Sequence, residues 1–257
     1  MKALIKFGFS ESYFEMFPKE TKSINIKDVD IPKLPSLETF MDLEELIMIR
    51  TILCEIHPSI GKLTNIEILA LCELVSCISS KKTAKLDDLL QKLKKNQITP
   101  VKIYESILQI YLFCGFPAAI IGIQAFSRHF KISISKESYN LKNFRSRGKL
   151  NCKAVYQDNY DKLIHNFDNM SPDLAEWMII EGYGKVLGRS GLELKDRELL
   201  NVSILCTNYY EHQLFSHIKG SINTGNPKAL IEKVIKQTTE FNTNKNLTNA
   251  LKLLKKC

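Results

Sequence analysis

The stretch YYEHQLFSHIKGSINTG, Tyr209 to Gly225, holds two of the chain's five histidines, His212 and His217. Asn208 followed by Glu211 reads as a capping-box start and Gly225 as a left-handed stop, so a helix is expected between them. On that helix Gln213, His217 and Ser221 share a stripe at i, i+4, i+8, beside the apolar stripe of Leu214 and Ile218. The preceding helix, from about Lys195 to Thr207, carries Glu198. If the two fold as an antiparallel hairpin about Asn208, Glu198 and His217 stand ~15 Å and ~13.5 Å from the turn, nearly level. A carboxylate facing an imidazole sets its tautomer and suits acid–base work near neutral pH. The same pair serves equally well as a satisfied polar clasp that holds a hairpin in register.

Helical periodicity must position these groups. Apolar residues recur at spacings of three and four in Leu43–Ile56, Ile66–Ile78, Leu86–Leu93, Val101–Phe113, Leu174–Leu187, Glu198–Tyr209 and Ala229–Ile235. Thr99-Pro100, Ser171-Pro172 and Asn226-Pro227 each set a capping residue before a proline at a helix start. An all-α chain is expected, with an irregular basic connection near residues 131–155. Slid against itself by 131 positions, residues 43–71 fall on 174–202 with identities at Leu43/Leu174, Glu45/Glu176, Ile49/Ile180, Ser59/Ser190, Leu63/Leu194, Glu67/Glu198 and Leu69/Leu200. At an offset of 127, Asn96, Pro100 and Glu105 fall on Asn223, Pro227 and Glu232. Two tandem copies of one helical unit account for this pattern. The carboxylate of Glu67 and Glu198 is common to both copies. The His217 position, however, falls near Leu89 or Leu90 in the first.

The composition, 44% hydrophobic and 25% charged over 257 residues, is that of a globular protein. No run approaches the roughly 18 apolar residues of a membrane span. The start, MKALIKFGFSESYFEMFPKE, carries acids early and lacks a small-residue cleavage site, so it does not read as a signal peptide. Seven cysteines, none in a CxxC, fit a reducing cytosol, and a cytoplasmic protein is expected. The net charge of +8 is spread as lysine pairs on solvated helix faces. LKNFRSRGKLNCK (Leu141 to Lys153) is a local basic excess, read as a surface linker. No zinc-ligand spacing, RNA-binding aromatic motif or helix-turn-helix is present, so neither metal nor nucleic acid is expected.

The segment SPDLAEWMIIEGYGKVLGRSGLELKDRELLNVSIL, followed by HQLFSHIKGSINTGNPKALIEKVI, resembles the carboxymuconolactone decarboxylase family, which includes the AhpD-like alkylhydroperoxidases. The elements that carry the resemblance are Arg189, Gly191 and Leu192; Arg197, Glu198 and Leu199; then Gln213, Leu214, His217, Gly220, Asn223 and Gly225. In the first copy ESILQIYLFCGFPAAIIGIQAF, with Gly115, Phe116 and Pro117, resembles the helix-GFPAA-helix that ends the family's repeat. Two fused repeats are implied: an N-terminal extension over 1–38, a first repeat over 39–131, a basic linker over 132–170 and a second repeat over 171–257.

The peroxidase members place a CxxC before the family histidine. Here Tyr210 and Gln213 stand in the cysteine places, so a vicinal disulfide cannot form. The decarboxylase chemistry needs no thiol. The resemblance then implies His217 as acid–base, Glu198 as its orienting partner and His212 beside them. It implies Arg197 or Arg189 as a clamp on a substrate carboxylate, with Tyr210 and Gln213 lining the site. The expected function is a small-molecule lyase acting on a carboxylate or lactone, without a cofactor and as a homo-oligomer. Two rivals are a thiol peroxidase with relocated cysteines and a non-catalytic helical scaffold. Cys206, two turns after Glu198, is expected to be a buried apolar residue.

Overall fold

The apolar spacing of Ile66–Ile78 and the pair Thr64 and Glu67 fix where the first described helix begins. The Thr64 hydroxyl accepts from the Glu67 amide at 3.2 Å, and the Glu67 carboxylate accepts from the Thr64 amide at 2.8 Å, a complete capping box. The computed structural model describes residues 63–132 and 136–257. Backbone contacts divide the chain into Met1–Thr51 and Ile52–Cys257, and every described residue belongs to the second unit. The expected helix Leu43–Ile56 and the extension over 1–38 lie outside the described residues. Among those that are described there is no strand.

The helices follow in order: α1 Asn65–Ser79, α2 Leu86–Lys95, α3 Pro100–Leu108, α4 Tyr111–His129, α5 Leu141–Tyr156, α6 Tyr160–Met170 and α7 Pro172–Trp177. A π-helix, Met178–Val186, continues α7, and α8 Leu194–Asn208, α9 Glu211–Asn223, α10 Lys228–Gln237 and α11 Asn244–Lys256 complete the unit. The expected single helix Val101–Phe113 is two, because the chain turns between Leu108 and Tyr111. α4 is kinked at Gly115, whose φ of 75° and ψ of 174° lie outside helical space, and Pro117 opens the part that follows.

The irregular connection expected near 131–155 is corrected: most of it is α5. The segment is helical because Phe144, Gly148, Cys152 and Val155 recur at helical spacing and are buried. Gly148 is no helix breaker here. A Cβ on it would overlap the carbonyl oxygen of Ile179, and one on Gly184 would overlap that of Phe144. Two glycines therefore let α5 and the π-helix cross backbone to backbone. The second core cluster, Cys152, Val155, Ile179, Tyr183 and Leu187, forms around this crossing.

α8 runs through the middle of the main core. Every residue from Asp196 to Thr207 is buried, six of them polar or charged: Asp196, Arg197, Glu198, Asn201, Ser203 and Thr207. A helix enclosed on all sides shows no amphipathic stripe. Each of its buried polar groups needs a partner, and those partners form the site.

Candidate functional site

α8 and α9 form an antiparallel hairpin that turns at Tyr209, held in the left-handed region at φ 53°. The hairpin brings the Glu198 carboxylate and the His217 ring together, Oε2 to Nδ1 at 2.8 Å. Both side chains are enclosed, at 0% and 9% exposure. Gly220, one turn on from His217, faces Glu198: a Cβ there would lie 2.8 Å from Oε2 and would also press on Val155 of α5. The His217 and Phe113 rings form a T-shaped pair, with centroids 5.5 Å apart at 90°. Because a carboxylate only accepts, Nδ1 carries the shared proton. Among the described residues Nε2 has no hydrogen-bond partner, so its lone pair can take a proton.

The ends of α9 differ from the sequence reading at one side and agree at the other. Asn208 is not the cap. It is the last residue of α8, donating through Nδ2 to the Ile204 carbonyl at 3.1 Å, and Tyr210 occupies the cap position without a side-chain bond. The left-handed residue at 209 had to come first, and the turn is one residue longer than the hairpin drawn about Asn208. At the other end Gly225 has φ 101°, with Gly225 N–H on Ile222 O at 2.9 Å and Asn226 N–H on Ser221 O at 3.0 Å, a Schellman stop. Pro227 precedes α10 as its cap rather than opening it.

The remaining candidates separate. Tyr210 and Gln213 are exposed on the His217 stripe, two turns and one turn before it. His212 is exposed too but lies about 140° round the helix from His217, off that stripe. Arg197 and Arg189 are near the pair in sequence, yet both turn to an internal carboxylate, Glu105 of α3. Arg197 Nη2 donates to its Oε2 at 2.8 Å, and Arg189 donates through Nη2 at 2.9 Å and Nε at 3.0 Å. Arg197 is wholly buried and Glu105 is 3% exposed. Arg189 also binds Glu137, which in turn pairs with Arg147. Each guanidinium thus has an anionic partner within the protein.

Two residues escaped the sequence reading. Asn201 Nδ2 donates to Glu198 Oε1 at 3.1 Å, and Gln109 Nε2 donates to Asn201 Oδ1 at 2.8 Å and to the Arg197 carbonyl at 3.2 Å. Arg197 Nη1 reaches Gln109 Oε1 at 3.4 Å. Asn201 was within reach of a spacing argument, three residues after Glu198 on the same helix. Gln109 was not, because no local pattern announces a partner 92 residues away.

Asp196 begins the enclosed stretch. Its Oδ2 is buried without a hydrogen-bond partner, and burial, with Glu193 nearby, pushes its pKa up to about 7. Cys206 is fully buried beside Thr238, 3.3 Å from its hydroxyl, and burial pushes its thiol up to about 11. It is therefore no ready thiolate. In the first half Glu67 caps α1 and lies 3.9 Å from Lys102. Of the two glutamates that the sequence offset aligns, Glu198 faces an imidazole and Glu67 does not. A cavity of about 240 Å3 lined by Tyr156, Gln157, Lys219, Asn223 and Cys257 opens at the C-terminal end of α9, and His217 is not among its lining residues.

Among the described residues no helix is long and apolar enough to cross a membrane. None of the curated proteins matches the chain significantly. Residues 172–256 match the model of the carboxymuconolactone decarboxylase family. This segment, which contains α8, α9 and the Glu198–His217 pair, is the part of the chain that is similar to that family.

Proposed function

We propose that the chain is a small-molecule lyase of the carboxymuconolactone decarboxylase type, in which His217 moves a proton and Glu198 orients it. The observation that carries this reading is the 2.8 Å Glu198–His217 bond, which leaves Nε2 unengaged. In the step, the bond between the leaving carboxylate and the adjacent carbon breaks. His217 Nε2 first takes the proton of the substrate's carboxyl group; the carbon dioxide then departs, the electron pair passes into the neighbouring carbonyl of the lactone or keto acid, and the imidazolium returns that proton to the carbon. Glu198 stabilises the imidazolium while it carries the proton. Tyr210 and Gln213 stand on the approach to His217 and would contact the substrate. With both arginines held by Glu105, a substrate carboxylate would have to be received elsewhere.

The reading includes two fused repeats, and the helices support it. α1, α2, α3 and the post-kink part of α4 come in the same order as α8, α9, α10 and α11. α1 and α8 also pack together along their length: Ser76 and Ser203 hydroxyls meet at 2.7 Å, Ser203 donates to the Cys72 carbonyl at 3.0 Å and Thr207 to Ser76 at 3.1 Å. Contact positions rise together, so the two helices run parallel. Such a self-matching seam suits two copies of one unit related by a two-fold axis. His217 from one half and Phe113 from the other then make one composite site per chain. A cytoplasmic, homo-oligomeric protein fits the free cysteines and the exposed Phe116, Ile120 and Ile121 of α4.

Release of carbon dioxide from a panel of lactone and β-keto carboxylates tests this function. Turnover of one panel member is expected, and no release from any of them, with the protein folded, would contradict it. The non-catalytic scaffold is the second reading, favoured by the complete burial of Glu198.

A further inference from the structure

We propose that Arg197, Gln109 and Asn201 are positioning residues that hold the Glu198 carboxylate against His217, so that the proton stays on Nδ1 and Nε2 stays free. The inference rests on the acid–base reading of His217 and goes beyond it by naming what enforces that state. The chain of bonds has one possible direction. A guanidinium can only donate, so Gln109 must present its oxygen to Arg197 Nη1 (3.4 Å) and its amide hydrogens elsewhere. The Arg197 carbonyl takes one of those hydrogens at 3.2 Å, which fixes the same amide orientation a second time. Gln109 Nε2 then donates to Asn201 Oδ1 at 2.8 Å, so Asn201 turns its own Nδ2 to Glu198 Oε1 at 3.1 Å. Glu198 has Oε1 occupied and offers Oε2, an obligate acceptor, to His217 Nδ1 at 2.8 Å.

Every amide between the guanidinium and the carboxylate is thus oriented by its neighbours, and a flip of either one sets oxygen against oxygen. Gln109, Arg197, Glu198 and Asn201 are all buried, so water cannot readily repair such a flip. Arg197 supplies the polarity of the series, a role that does not require it to touch substrate. Gln109 belongs to the first half of the chain, so the second half's histidine depends on a residue 108 positions before it.

The test reads the tautomer directly. Imidazole nitrogen resonances of 15N-labelled full-length protein are recorded at several pH values up to the alkaline plateau of the spectrum, and assigned to His217 by comparison with His217→Gln. The wild type is expected to show the Nδ1–H tautomer alone. Gln109→Glu keeps shape and a bond to Arg197 but replaces the donor facing Asn201 Oδ1 by an acceptor, so Asn201 flips, its oxygen repels Glu198 Oε1 and turns the carboxylate from His217, and a second His217 tautomer is expected. Gln109→Met, which removes the polar group at nearly constant volume, is expected to give the same mixture and serves if the charged variant fails to fold. A single Nδ1–H tautomer that persists in a folded variant overturns the relay and leaves the acid–base reading of Glu198 and His217 standing. The Nε2–H tautomer in the wild type overturns both.

Discussion

At the scale of the residue, the Glu198–His217 pair was legible because hairpin geometry converts sequence distance from a turn into height along a helix. The partners of the pair were not. Gln109 reaches it from another helix, and Arg197 and Arg189 could only be recognised as internal once Glu105 was found between them. The charge of Asp196 gives a further consequence. Burial raises its folded pKa from 3.8 to about 7, so the folded state holds a proton that the unfolded chain has already lost. Stability from this group therefore falls as pH rises from about 4 to about 7 and stays low above that. Asp196→Asn is expected to raise the urea midpoint at pH 8 and to leave it nearly unchanged at pH 4. Equal shifts at both pH values would mean that Asp196 is not buried as a neutral acid. Gly220→Ala, which brings a methyl group to 2.8 Å from Glu198 Oε2, is expected to destabilise by roughly 1–3 kcal/mol by overpacking. Denaturant unfolding at neutral pH measures it.

At the scale of the element, amphipathic stripes found α2 and α10 nearly to the residue, since each has one wet face, and a capping box fixes the start of α1, which has no exposed residue from Glu67 to Ser79. α5 was misread because its glycine and its basic face resemble a linker. Only the opposing backbone explains Gly148. The crossing makes a strong demand: Gly148→Ala is expected to cost about 3 kcal/mol or more, since the obstruction is the Ile179 carbonyl rather than a side chain that can swing away. Gly182 has open space where its Cβ would be, so Gly182→Ala is expected to be tolerated, which makes it the control. Equal thermal midpoints for the two variants would show that the helices do not touch at Gly148. The site helix α8 was located, but its enclosure was hidden, because a helix buried on every side carries polar residues where a stripe would be sought.

At the scale of the whole molecule, the all-α class followed from period and caps, while the relation between the halves rests on identities too sparse to stand without packing. The parallel seam of α1 and α8 and the contact of Phe113 with His217 suggest that neither half makes the site alone. Exposed Phe116 and Ile120, one turn apart on α4, are large apolar residues on a surface that association would cover. Light scattering is expected to give a multiple of the chain mass, and Phe116→Asp is expected to lower it to that of one chain. A monomeric wild type would refute the homo-oligomer. The central claim is that His217 transfers the proton, and its most direct measurement is turnover by His217→Gln beside the parent protein on the lactone or keto acid found to release carbon dioxide. Glutamine can keep a hydrogen bond to Glu198 but cannot exchange a proton near neutral pH. Circular dichroism and the thermal midpoint are expected to stay close to the parent while turnover falls by about 100-fold or more. Turnover at the parent rate would contradict the account and leave Glu198 and His217 as a clasp between two helices.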